Sequence, residues 1–77
     1  MSRLKCTFRE VIQIIEANGF AIVPGRQSGS HRQYKRTVGR EVRLVTIAYH
    51  NINDDVLPGT LASIIRQSGL PKGLFRK

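Results

Sequence analysis

The chain has 77 residues, with 13 Lys and Arg against 5 Asp and Glu, a formal net charge of +8. A chain this short makes one domain, buries only about 60% of its unfolded surface and has no room for a deep cofactor pocket. Its single cysteine, Cys6, excludes an intrachain disulfide and fits a reducing cytoplasm, and no apolar run is long enough for a membrane span or a signal-peptide core.

Thr7 to Asn18 reads as an amphipathic helix. Thr7 and Glu10 have capping-box spacing, Cys6 and Val11 suit a hydrophobic staple, and Phe8, Val11 or Ile12, and Ile15 recur at helical spacing. Asn18-Gly19 supplies the stop. Phe20 to Val23 is a short strand ended by Pro24-Gly25, and a polar loop runs from Gly25 to Gly29. Ser30 to Arg36 alternates as a second strand, Thr37 to Arg40 is a turn, and the β-branched run Glu41 to Ala48 is a third strand. Tyr49 to Asp55 is a polar connection. A second helix opens at Pro58-Gly59-Thr60, presents Leu61, Ile64 and Ile65, and stops at Gly69 before Pro71. Residues 72–77 read as a flexible basic tail. The α-β-β-β-α order implies an α+β domain spanning 1–77, with a three-stranded antiparallel sheet and both helices on one of its faces. The other face is left to solvent as a binding surface.

The cations cluster. Arg26, Arg32, Lys35, Arg36, Arg40 and Arg43 fall in one stretch against a single acid, Glu41, which points to a polyanion: RNA, DNA or an acidic protein. Within that stretch stands Gly29-Ser30-His31. Histidine is the side chain that titrates nearest neutral pH. RNA carries its own nucleophile, the 2′-hydroxyl, so metal-free cleavage requires a base for that proton, cations for the phosphorane and an acid for the leaving 5′-oxygen. His31 is the candidate base or acid, and Arg32, Lys35 and Arg36 are candidate charge stabilisers. Ser30 can donate to a phosphate, and Gly29 lets backbone approach RNA closely. If Tyr34 packs inward, strand alternation sends His31, Gln33 and Lys35 to the open face. The opposite assignment buries His31 and leaves a non-catalytic RNA- or DNA-binding module.

Other residues carry weaker signals. His50 suits either a second acid-base group or a solvated loop. Asp54 and Asp55 lack a third ligand for a metal and suit the N-terminal end of the second helix. Tyr34, Tyr49 and Phe75 offer rings for base stacking or for packing. No metal or cofactor is expected.

Asn18-Gly19-Phe20, Gly29-Ser30-His31 with Tyr34, Val45-Thr46-Ile47, and Leu57-Pro58-Gly59-Thr60-Leu61 followed by Ile64 to Leu70 stand in an order and spacing of their own. From about Thr7 to Leu70 the chain resembles the HicA family of small bacterial toxins, the YcfA-like mRNA interferases. The resemblance implies a fold like the double-stranded-RNA-binding domain and metal-independent cleavage of mRNA with His31 as the catalytic residue. It also implies a cytoplasmic protein neutralised by a HicB-like antitoxin. RNA contacts are then expected from Arg26, Ser28, Gly29, Ser30, Arg32, Gln33, Lys35, Arg36 and Arg40. Two positions depart from the family pattern. Arg32 stands where many members carry a second histidine, which leaves the source of the second proton open. Ala48 stands where many carry proline, a change confined to the loop.

Overall fold

The computed structural model describes residues 5–25 and 31–76. Its elements are α1 (Phe8–Ala17), β1 (Ala21–Ile22), β2 (His31–Val38), β3 (Glu41–Ala48), α2 (Pro58–Ser68) and a short terminal 3-10 helix (Lys72–Phe75). The order is the expected α-β-β-β-α, and the strands form one antiparallel sheet in the order β1-β2-β3.

α1 starts as its capping box dictates. The Thr7 hydroxyl accepts from Glu10 N at 3.2 Å, and the Glu10 carboxylate accepts from Thr7 N at 2.8 Å. Two further N–H groups of the first turn would be orphaned. Phe8 N instead donates to the Asp54 carbonyl at 3.1 Å and Arg9 N to the Ile52 carbonyl at 2.8 Å. Val56 N donates back to the Cys6 carbonyl at 2.8 Å, so the connection after β3 is tied to the start of α1. The contact of Asp54 with α1 is thus made by its main-chain carbonyl. Asp55 lies 3.9 Å from Lys5 Nζ, while α2 begins at Leu57 and Pro58 with no acidic residue in its first turn.

β2 and β3 pair without a break from His31↔Ala48 to Val38↔Glu41. The two residues between them, Gly39 and Arg40, make a tighter turn than expected. Gly39 takes φ +59° and no described non-glycine residue, Arg40 included, has positive φ, the pattern of a type II′ hairpin turn. β1 adds only Ala21↔Lys35 and Ile22↔Tyr34, because Phe20 turns into the core instead of extending the strand. The outer edge of β3 is covered by α2, where Gln67 Oε1 accepts from Thr46 N at 3.1 Å. An uncovered edge invites pairing with other chains.

The core lies on one side of the sheet. Tyr34, Val45 and Ile47 point into it and meet Val11 and Ile15 of α1, Leu61 and Ile64 of α2, and Phe20 and Val56. Both helices therefore cover the same face. No described helix is long and apolar enough to cross a membrane. The tail departs from expectation: it is no loose end, because Phe75 is 0% exposed and its carbonyl accepts from the Cys6 thiol at 3.1 Å. The aromatic ring outweighs the cations around it, and Pro71 aims the chain back at α1 rather than merely ending α2.

Phe75→Ala should cost about 3–5 kcal/mol, the usual loss for a buried aromatic, read as a lower urea midpoint. Retention of full stability would mean that the terminal turn is dispensable. Burial raises the Tyr34 phenol above its ordinary value of 10.0, with Tyr49 and Glu16 adding to the rise and Arg32 opposing it. A raised folded-state value means that Tyr34 supports the fold below pH 10.0 and loses that support as pH climbs further. Tyr34→Phe should therefore flatten the alkaline fall in melting temperature relative to the parent chain.

Candidate functional site

Alternation along β2 divides its side chains between two surfaces. Tyr34 is buried among the helices, so His31, Gln33 and Lys35 share the opposite, helix-free face. His31 is the first residue of β2 and is exposed; Ala48, its neighbour across the ladder, is a small residue that leaves the imidazole uncovered. Gln33 stands opposite Thr46, and Lys35 opposite Leu44. β2 is the central strand: Gln33 to Lys35 are held on both sides, by β1 and β3, and His31 is paired with β3 at the end of the ladder. Next to them Val23, Val42 and Leu44 line a shallow groove with Gln33 and Lys35.

The arginines go elsewhere. Arg32 lies on the helix side with its guanidinium 4.6 Å above the ring of Tyr49, which in turn packs on Phe8 with centroids 5.4 Å apart. Such a stack holds the cation by about 0.5–1 kcal/mol at an exposed site. Arg36 and Arg43 face each other across the ladder, a repulsive pair relieved by the ends of the two helices. Arg43 donates to Glu41 at 3.1 Å and to the Gln67 carbonyl at 3.5 Å, close to the C-terminal end of α2. Its guanidinium fills the space beside Gly69, where a Cβ would meet Cζ at 2.5 Å. Arg36 lies beside Gly19, just past α1, at a looser approach where a Cβ would meet Nε at 3.4 Å. Cations belong at helix C-termini, where the unpaired carbonyls concentrate negative potential.

Of the residues singled out from sequence, His31, Gln33 and Lys35 are thus brought together, while Arg32 and Arg36 lie across the sheet from them. Arg40 is exposed at the hairpin tip, separated from His31 by roughly 23 Å of strand. Arg26, Ser28, Gly29 and Ser30 lie outside the described residues. His50 is exposed in the bend two residues past Ala48, at the same end of the sheet as His31. Among the described residues no three His, Cys, Asp or Glu side chains gather closely enough to hold a metal ion. Sequence reasoning missed the apolar floor formed by Val42 and Leu44. β3 carries aliphatic residues on both faces, so its alternation could not tell which would be left exposed.

No curated protein matches the chain significantly. The family model described as the HicA toxin of bacterial toxin-antitoxin systems matches residues 8–70. That span opens on the first residue of α1, takes in the whole sheet with the His31 face, and closes two residues past α2. With most of its length inside the match, and every element of the matched segment in the order read from its residues, this chain belongs to the HicA toxin family.

Proposed function

We propose that the chain is the toxin of a type II toxin–antitoxin pair, a cytoplasmic, metal-independent mRNA endoribonuclease that uses His31 as general acid/base and is held inactive by a HicB-like antitoxin. The observation that carries this reading is the exposed imidazole of His31 on the helix-free face of the sheet, in line with Gln33 and Lys35. An RNA strand can reach it without any movement of the helices.

The chemistry follows from what that face offers. A neutral imidazole takes the proton of a ribose 2′-hydroxyl. The oxygen attacks the adjacent phosphorus, a 2′,3′-cyclic phosphate forms, and the bond to the 5′-oxygen breaks as that oxygen gains a proton. Lys35, the ammonium on the same face, neutralises charge that builds on the phosphorane. Arg32 and Arg36 act at longer range as part of the field that draws the polyanion in, and Arg40 binds backbone phosphate distant from the cut. Arg26, Ser28, Gly29 and Ser30 belong to the same proposed RNA contact by their place in the chain before His31. The proton for the leaving group comes from the imidazolium itself or from a second group, for which His50 is the nearest candidate along the chain. The same positive surface suits an acidic antitoxin.

His31→Ala should cut cleavage about 100-fold or more, the usual share of a positioned acid/base, and abolish growth arrest on induction. Because the side chain is exposed, thermal stability should stay within about 0.5 kcal/mol of the parent. Products of the parent chain should carry 2′,3′-cyclic phosphate ends. Full activity in the variant would remove His31 from the mechanism. Salt-dependent RNA binding by the parent with no products at any concentration would leave only a binding module.

A further inference from the structure

The open face carries a feature that proton transfer does not use. Val42 and Leu44 are 52% and 49% exposed, and with Val23 they form the floor of a shallow groove of about 160 Å³ rimmed by Gln33 and Lys35. The ladder fixes its shape: Lys35 stands opposite Leu44, Thr37 opposite Val42, and Val23 N donates to the Gln33 carbonyl at 2.9 Å. Three aliphatic side chains suit the face of a flat ring. An amide suits its edge, and an ammonium suits a phosphate beside it. The space is too small for a helix, which is about 10–12 Å across. Gln33 and His31 are two residues apart on one face, roughly 6.5 Å along the strand, close to the reach of one extended nucleotide. Bases stacked and paired inside a duplex cannot lay a face on the sheet, whereas unstacked bases of a single strand can.

We propose that this groove seats one nucleobase of a single-stranded RNA whose backbone runs past His31, and that Gln33 selects adenine there. The identity of the polymer rests on the ribonuclease reading above. A carboxamide presents a donor and an acceptor side by side, the complement of the N6 amino group and N7 of adenine. Among the described residues the Gln33 amide has no hydrogen-bond partner, so it is free to turn either way. Gln33 is then a specificity residue: it sets which linkage is brought to His31.

The test uses the full chain carrying His31→Ala, so that no RNA is consumed. The probes are hexauridylate and the same hexamer with one central adenosine, with affinity read by fluorescence anisotropy. The adenosine hexamer should bind about tenfold more tightly, the discrimination expected of one two-point contact to a base. Adding Gln33→Leu, which keeps bulk and removes the amide, should bring the ratio near one. Leu44→Asp, at a half-exposed position that tolerates substitution, should weaken both hexamers. A ratio under about twofold, or one that survives Gln33→Leu, overturns the proposal. So does a Leu44→Asp chain that loses antitoxin binding but keeps both hexamers, since the groove is then a protein surface. An adenosine preference in a chain whose unsubstituted form leaves RNA uncut would sink the ribonuclease reading and leave the base site standing. Cleavage without that preference would do the reverse.

Discussion

The register of β2 against β3, set by the burial of Tyr34, is the constraint on which the functional face depends. Tyr34, Val45 and Ile47 enter the core together because Tyr34 pairs with Val45 and Arg32 with Ile47. A slip of one residue would exchange the two faces. On β2 it would put His31, Gln33 and Lys35 under the helices and turn the large side chain of Tyr34 out to solvent. Burying such a side chain is worth about 1.5–3 kcal/mol, so the slipped state is far from competitive. The core thus holds the imidazole in water by holding its neighbours out of it. The type II′ turn at Gly39 enforces the same register locally, since a longer turn would shift every pair along the hairpin.

The charge of the molecule divides along the same line. Arg32, Arg36 and Arg43 are all on the helix side, and each has a neighbour there: the ring of Tyr49, the backbone at Gly19, and the end of α2 at Gln67 and Gly69. Some of the net charge of +8 therefore belongs to the fold, where it offsets the negative ends of two helices. Counting cations along the chain overstates the local density at the site, because neighbours in a strand face opposite ways. Among the described residues, what remains around His31 on its own face is Lys35 together with a long-range positive field. Under the proposed ribonuclease reading, that arrangement would attract a polyanion without filling the place of the scissile phosphate.

Much of this was legible in the residues. The capping box, the glycine stops and the β-branched run of β3 fix local structure with little help from distant parts of the chain, and they gave element order and boundaries closely. Alternation around Tyr34 gave the face of His31, since one aromatic in an otherwise polar strand leaves a single sensible burial. Other features were decided at long range and left no local mark. Phe75 is flanked by cations and looks like a tail residue, yet the open space beside Cys6 and α1 draws it in. The connection after β3 folds back along the first turn of α1, where the main-chain carbonyls of Ile52 and Asp54 accept from Arg9 and Phe8. The groove of Val42 and Leu44 was hidden for a third reason: β3 is aliphatic on both faces, and only the placement of the helices decides which is covered.

A domain this small cannot enclose its chemistry. With both helices committed to one side of three strands, the broad surface beside His31 is the bare sheet, and any site there is open by construction. Openness suits a polymer, which has no end to thread into a cavity, and it explains why side chains on the central strand, and not a pocket, define the face. It also sets a condition on inhibition. An open face is not plugged by a small group; it must be covered. A stable protein interface takes roughly 800 Å² from each partner, a substantial share of the 5209 Å² that this chain exposes. Such a cover would extend from His31 across the aliphatic groove toward Lys35 and the hairpin. The half-exposed Val42 and Leu44 would then gain their burial from whichever partner occupies the face, an RNA base or an antitoxin. Under the proposed function, competition between the two for one apolar floor would neutralise the toxin without any change in its shape.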